Sequence, residues 1–338
     1  MKGEYNMALL EIEQVKKTYR TRKFGRSYHV IAVNGISFSV EKGKCIGLVG
    51  ESGCGKSTLG RLIAGLERPS EGEIRFHGQS IHPDRKKSGR LEFARDIQMV
   101  FQDSFDAVNP RYTAKQIIEE PLRNLTKLSA FERSEKVNLL LEQVGIPVTE
   151  RDKYALEFSG GQLQRVCIAR ALASGPKLLI LDEPLSSLDV SIQAQILNLL
   201  KDIKEELDLS YLLISHDLEA IYYLADSIVV MYGGQVMERI DDLAFFNEMK
   251  HPYTRMLLSS TPAYRDREKG HEDAEMIWID LGVQKEGFSG CPYCGRCRLA
   301  KSLCRSSRPK MLEIRPGHFV ACHQILKEGR ERCHPIGD

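Results

Sequence analysis

Two short stretches of this chain are apolar at almost every position: residues 44–49 and residues 177–181, each with a single lysine in front. Runs of this length with no polar alternation predict strands buried on both faces, as in a parallel sheet. Residues 211–214 and 227–232 have the same character and extend that sheet. Other stretches follow the helical period. Residues 57–64 continue from the first strand as a helix, and Ser129, Ala130, Phe131 and Glu132 form a capping box ahead of Val137, Leu140, Leu141 and Val144. Ile192, Ile196, Leu199, Leu200, Ile203 and Leu207 trace one side of another amphipathic helix, a face best assigned to the core. The mixture predicts an α/β chain.

Residues from about 8 to 48 and from 72 to 78 read as short strands and turns, with a loop at 25–28. The charged stretch 265–275 reads as a linker or exposed loop, and there is no internal repeat. A hydrophobic fraction of 42%, a charged fraction of 28% and a net charge of +2 exclude disorder and a strong overall field. No apolar run approaches the roughly 20 residues needed to span a bilayer, and the N-terminus has no signal-peptide core. Membrane association is therefore expected to come through a partner.

Between the first buried strand and its helix stand Gly50, Glu51, Ser52, Gly53, Cys54, Gly55, Lys56, Ser57 and Thr58, which fit G-x-x-x-x-G-K-[ST]. In such a turn the backbone N–H groups surround phosphates and the following helix directs its positive end at them. Lys56 then pairs with the β and γ phosphates of ATP, and Ser57 binds Mg²⁺. At the end of the second buried strand stand Asp182 and Glu183. Carboxyl ends of strands are where open α/β sheets bind ligands. Asp182 is placed for the Mg²⁺ shell, while Glu183, on the opposite side of the strand end, can orient or deprotonate an attacking water.

Ser159, Gly160, Gly161 and Gln162, preceded by Phe158 and followed by Gln164 and Arg165, resemble the signature of the ATP-binding cassette (ABC) family. The family more often has leucine where Phe158 stands. The resemblance implies roles for further positions in the family order. Gln102 matches the glutamine that touches Mg²⁺ or water and senses the membrane subunit. Ser187, Leu188 and Asp189 match the loop that crosses the dimer interface, His216 the histidine at the γ-phosphate, and Tyr19 the aromatic that stacks on adenine, with Phe24 and Tyr28 as alternatives. The implied fold is a P-loop NTPase of the ABC nucleotide-binding type, with a RecA-like core, a small antiparallel β-subdomain and a helical subdomain at about 103–158. It occupies residues 8–250. Ser159 and its glycines open a helix whose free N–H groups can meet a γ-phosphate on a second subunit's P-loop. One cassette per chain then implies a nucleotide-sandwich dimer.

Residues 251–338 are expected to form a small C-terminal extension. Its opening, His251, Pro252, Tyr253, Thr254 and Arg255, resembles that of ATPase subunits of peptide and nickel importers. Cys291, Cys294, Cys297, Cys304 and Cys322 cluster there, whereas Cys45, Cys54 and Cys167 are scattered. Clustered cysteines in a cytosolic chain more often bind metal than form disulfides. The resemblance implies a [4Fe–4S] cluster on Cys291, Cys297, Cys304 and Cys322, with Zn²⁺ as the alternative, Cys294 as a substitute ligand and Cys333 as a bystander. Arg296, Arg298, Lys301, Arg305, Arg308 and Lys310 make the tail basic, but without interleaved aromatics no nucleic-acid role is assigned.

The implied activity is ATP hydrolysis that drives import of di- or oligopeptides through a membrane permease, with nickel or a metal chelate as the alternative cargo. Expected partners are a second, paralogous ATPase subunit, two permease subunits and an extracytoplasmic substrate-binding protein, with the chain on the cytoplasmic face of the membrane. A non-transport cassette ATPase and a redox or metal sensor built on an ATPase are the rival classes.

Overall fold

The computed structural model describes residues 8–23, 26–82, 93–261 and 288–325. Its strands are β1 (Leu10–Lys23), β2 (Arg26–Val40), β3 (Cys45–Val49), β4 (Glu71–Phe76), β5 (Gln79–Ser80), β6 (Ile97–Val100), β7 (Leu178–Asp182), β8 (Ser210–Ser215), β9 (Ser227–Tyr232), β10 (Gln235–Ile240), β11 (Leu312–Arg315) and β12 (His318–Val320). Helices are α1 (Lys56–Ile63), α2 (Ala114–Leu125), α3 (Ala130–Gln143), α4 (Gly160–Leu172), α5 (Val190–Leu207), α6 (Leu218–Leu224), α7 (Pro252–Ser259) and α8 (Ser302–Ser306).

The large sheet has the order β11-β12-β10-β9-β3-β8-β7-β6, and its stretch from β9 to β6 is parallel. Alternate side chains of its central strands divide cleanly between two cores. Ile46, Leu48, Ile180, Leu212, Ile214, Val229 and Met231 face one core, shared with α1 and the sheet of β1, β2, β4 and β5. Cys45, Val49, Leu179, Leu181, Tyr211, Leu213, Ile228 and Val230 face the other, shared with the helices. Both faces are covered, so no position in these strands can be polar without losing burial, and the sequence reads as unbroken apolar runs.

The second sheet, β2-β1-β4-β5, is antiparallel and is built from longer strands than its mixed sequence suggests. The loop expected at residues 25–28 is a correction. Arg26, Ser27 and Tyr28 belong to β2 and pair with Lys23, Arg22 and Thr21, while Gly25 lies outside the described residues. The ladder requires only backbone groups, so a polar segment can extend it without any apolar alternation.

Caps fix the helical part. Ser129 and Glu132 form the expected reciprocal capping box at α3, and Thr113 and Gln116 form another at α2 that the sequence reading did not identify. In α5 the apolar face is narrower than expected. Ile196, Leu200 and Ile203 are buried, whereas Leu207 is 44% exposed because the last turn runs past the core.

Beyond residue 250 the described residues add two strands to the cassette's large sheet. β12 pairs with β10 through Glu238↔Val320 and Ile240↔His318, and β11 then pairs with β12. Tyr253, Leu258, Cys291, Tyr293 and Cys304 belong to the same core as Leu179 and Leu213. The charged stretch 265–275 and Cys333 lie outside the described residues.

Candidate functional site

The phosphate-loop candidate joins β3 to α1, where the sequence placed it. Gly55 caps α1 at φ 106°, and a Cβ there would lie 2.1 Å from the carbonyl oxygen of Ala32, so both backbone conformation and space demand glycine. Lys56 is 4% exposed, and its Nζ donates to the carbonyl oxygens of Gly50 at 2.6 Å and Glu51 at 3.1 Å. Its ammonium is thus folded over the loop, within reach of any anion the loop admits. Cys54 is buried and its thiol is raised by that burial, which keeps it protonated and unreactive.

Asp182 and Glu183 meet α1 and β8 from the end of β7. Ser57 Oγ donates to Asp182 Oδ1 at 2.9 Å. Burial pushes the Asp182 carboxyl up and the neighbouring charge of Glu183 adds to the rise, while the Ser57 hydroxyl and the positive charges of Arg61 and Lys56 oppose it. A buried carboxylate bonded to the motif's serine suits a hard divalent cation, so the donor set fits Mg²⁺.

Glu183 has φ 47°, one of four non-glycine residues with positive φ among those described, and such a conformation costs about 1 kcal/mol or more. The turn is held by the Glu183 N–H, which donates to Ile214 O at 2.9 Å. Its carboxylate lies 2.9 Å from His216 Nδ1 through Oε2 and 3.8 Å from Lys56 Nζ through Oε1. The strained turn therefore aims the acid at both the loop lysine and the histidine beyond β8. A cavity of about 320 Å³ opens beside Glu183 and His216 and is also lined by Leu257, Ser260 and Thr261. Gln102 is exposed two residues past the end of β6, the strand that pairs with β7 through Val100↔Leu181.

Tyr19 stands near Thr58 of α1. Its hydroxyl donates to Glu67 Oε2 at 2.6 Å, and Lys17 Nζ lies 5.0 Å from its ring centre. Tyr28, an alternative for the same role, is 49% exposed toward the tip of the β1–β2 hairpin, and Phe24 lies outside the described residues.

The signature candidate is a helix start. Ser159 Oγ accepts from Gln162 N–H while Gln162 Oε1 accepts from Ser159 N–H, forming a capping box at the start of α4, where Ser159 is exposed and Gly161 buried. Gly160 packs toward Leu188 and Gly161 toward Ile192, so this turn lies against the segment that opens α5. Asp189 has a local task as well: its Oδ1 accepts from Ile192 N–H at 3.0 Å and caps α5.

The five described cysteines of the extension gather in one small lobe. Cys291 N–H donates to Cys304 O at 2.8 Å, Cys294 N–H to Cys291 O at 3.0 Å, and Cys297 N–H to Tyr293 O at 3.0 Å. Burial pushes the Cys291 thiol up to about 12, reinforced by the neighbouring Cys294, Cys322 and Cys304, and it raises Cys294, Cys297 and Cys322 too. The donor chemistry suits a thiolate-bound centre, yet among the described residues no three Cys, His, Asp or Glu side chains stand together as metal ligands. The expected four-ligand site is therefore not seen ready-formed.

Sequence reading missed one contact altogether. Arg296, between Cys294 and Cys297, reaches the phosphate loop and pairs with Glu51 at 2.6 Å. No local pattern marks a pairing across 245 positions.

Comparison with known proteins agrees with this geometry. The family model "ABC transporter" matches residues 33–186, and "Oligopeptide/dipeptide transporter, C-terminal region" matches residues 237–304. The chain is 44% identical over 318 residues to the oligopeptide transport ATP-binding protein AppF of Bacillus subtilis, covering 93% of this chain and 97% of that protein. It is 40% identical over 319 residues to the dipeptide transport ATP-binding protein DppF of Escherichia coli, covering 94% of each. Among solved structures, the ATP-binding cassette MJ0796 in a dimeric post-hydrolysis state with ADP and Pi superposes with a TM-score of 0.62 at 28% identity, covering 68% of this chain and 97% of that one.

Proposed function

This chain belongs to the family of ATP-binding subunits of ABC-type oligopeptide and dipeptide transporters, and from that premise we propose that it hydrolyses ATP to drive peptide import through a membrane permease. The observation that carries the reading is the meeting of Lys56, Ser57, Asp182, Glu183 and His216 at the carboxyl ends of β3, β7 and β8, with the peptide-transporter C-terminal region built onto the same sheet. The relatives' names favour peptide over nickel as cargo. A non-transport ATPase role has no comparable support.

The reaction needs an in-line attack. A water oxygen forms a bond to the γ-phosphorus of ATP, the bond from that phosphorus to the bridging oxygen breaks, and ADP leaves with the electron pair. Glu183 orients the water and takes its proton, and His216, bonded to Glu183, holds the carboxylate in place and faces the γ-phosphate. Lys56 supplies positive charge to the β and γ phosphates. Ser57 and Asp182, together with Gln102, would hold Mg²⁺, which would supply charge neutralisation of the triphosphate. Tyr19 offers its ring to adenine.

Ser159, Gly160, Gly161 and Gln162 serve the nucleotide of a second, paralogous subunit, and the helix start at the exposed Ser159 supports that reading. Closure of the pair passes through Gln102 and the helical part to two permease subunits, with an extracytoplasmic binding protein delivering peptide. Among the described residues no helix is long and apolar enough to cross a membrane, which fits a peripheral position on the cytoplasmic face, held by the permease.

In the cysteine lobe, Cys291, Cys297, Cys304 and Cys322 hold a [4Fe–4S] cluster, with Zn²⁺ as the alternative and Cys294 as a substitute ligand. The mutual proximity of buried and half-buried thiols in a basic lobe supports this. Iron, sulfide and zinc analysis of the anaerobically purified full chain, with its visible absorption spectrum, tests it; stoichiometric zinc without iron refutes the cluster.

Uptake of labelled dipeptide and of nickel, in cells carrying the natural chain or Lys56→Ala, tests the transport reading. Loss of dipeptide uptake alone is the expected result. Loss of nickel uptake alone overturns the cargo, and no change in either overturns transport.

A further inference from the structure

Glu51, the second residue of the phosphate loop, is held on three sides. Its carbonyl oxygen accepts from Lys56 Nζ at 3.1 Å, within the loop. The other two holds come from the C-terminal extension. Tyr253 of α7 is fully buried and its hydroxyl accepts from the Glu51 N–H at 2.8 Å, while Arg296 Nη1 pairs with Glu51 Oε2 at 2.6 Å. Arg296 is itself fixed: its guanidinium lies 5.9 Å from the ring centres of both Tyr232 and Tyr293 and donates to the Tyr232 hydroxyl. Tyr232, Tyr253 and Tyr293 pack against one another with ring centres 4.7 to 5.2 Å apart. A rigid aromatic bracket therefore presents one cation and one hydroxyl to a single residue of the loop.

A carboxylate at the mouth of a loop that binds polyphosphate is an electrostatic liability. Left unpaired it repels the triphosphate, and free to rotate it competes for Lys56 and for the loop's N–H groups. Arg296 removes the repulsion, and Tyr253 fixes the peptide whose carbonyl anchors Lys56. The pair is about one-fifth exposed on each side, sheltered enough for its loss to be felt at the loop.

We propose that Arg296 and Tyr253 are positioning residues for the phosphate loop, neutralising and fixing Glu51 so that the cassette's affinity for ATP depends on its C-terminal extension. The inference rests on the ATPase reading above and goes beyond it, because it ties an element outside the nucleotide motifs to nucleotide affinity.

The test uses the full chain assembled with its permease, reading MgATP hydrolysis, together with equilibrium binding of a fluorescent ATP analogue. Arg296→Gln is expected to raise KM for MgATP about tenfold and leave kcat within about twofold, since uniform binding is what is lost. Arg296→Lys, which keeps the charge, should return KM to within about threefold of the natural value. Tyr253→Phe should raise KM about threefold through loss of one hydrogen bond. The decisive variant is Arg296→Gln in a Glu51→Gln background, where the penalty should shrink to less than about twofold because no carboxylate is left to neutralise.

A tenfold penalty that persists without Glu51 means that Arg296 acts through the fold of its own lobe, and the inference fails. An unchanged KM in Arg296→Gln also overturns it while the ATPase reading stands. If the natural chain binds no MgATP, the ATPase reading falls and takes this inference with it. Should Arg296→Gln fail to fold, Tyr253→Phe and Arg296→Lys carry the comparison, and a natural KM for Tyr253→Phe then overturns the clamp.

Discussion

Nδ1 of His216 lies 2.9 Å from Oε2 of Glu183, which joins the residue beyond β8 to the acid beyond β7 in one hydrogen-bonded unit. Glu183 is 12% exposed while the histidine is 61% exposed, so the acid is sheltered and its partner faces solvent. The left-handed backbone of Glu183 makes the contact possible, by turning its side chain out of the β7 plane toward the next strand.

Glu183→Gln should therefore slow ATP turnover by about a hundredfold or more, because an amide cannot take the proton of the attacking water. Binding of MgATP should stay within about twofold of the natural chain, and the ATP-bound dimer should accumulate. Single-turnover hydrolysis and size-exclusion chromatography with MgATP measure both; normal turnover refutes the assignment of the base.

The two signature glycines should separate folding from function. A Cβ on Gly161 would stand 2.5 Å from Ile192 Cγ2, so Gly161→Ala overpacks the α4–α5 contact and should cost about 1–3 kcal/mol. A Cβ on Gly160 meets Leu188 at 3.6 Å, an ordinary contact, and Gly160→Ala should leave stability within about 0.5 kcal/mol. Its loss should appear in the ATPase activity of the assembled dimer. Denaturant unfolding and hydrolysis assays on both variants distinguish the two effects.

Stability should fall in mild acid. Burial pushes the His251 imidazole down to about 4, against the opposing charge of Glu238 and the hydrogen bond to Ala321, and its Nδ1 accepts from the Tyr253 N–H at 3.1 Å, which requires the neutral ring. Between its ordinary value near 6.5 and about 4 the unfolded chain binds the extra proton. Stability therefore rises with pH across that window and is lost as pH falls through it. The full effect is about 3 kcal/mol. His251→Asn, which keeps the cap acceptor but does not titrate, should flatten the profile of melting temperature between pH 7 and 4.

Glu238 joins three elements at one buried carboxylate. It accepts from Lys250 N–H at 2.7 Å and His251 N–H at 3.0 Å, and its Oε1 lies 2.6 Å from His318 Nε2. Burial works to raise this acid, but His318, the two N–H groups and Thr254 together hold it below the usual carboxylate range. Glu238→Gln places an amide against N–H donors and should cost about 3 kcal/mol. Limited proteolysis should then release the extension before the cassette is cut; a variant as stable as the natural chain refutes the joint.

Strands β3 and β7 were legible because burial on both faces leaves no room for polar residues, and the cap at Ser129 was legible because a capping box spans only four positions. The hairpin tip at Arg26 to Tyr28 was not, since its ladder is made by backbone groups that every residue carries. The strained turn at Glu183 left no mark either, because nothing in a glutamate's identity announces a positive φ.

Local chemistry determined part of what could be read: the phosphate loop and the acid pair are short patterns whose residue types and spacing point to phosphate and metal chemistry, whereas the signature turn and the cysteine ligand set were expected from resemblance to a family. Tertiary structure alone decided that the extension continues the cassette's own sheet through β12, and that Arg296 meets Glu51 across 245 positions. Such contacts depend on which surfaces are brought together when the two cores bury, a property of the whole chain that no window of neighbouring residues contains.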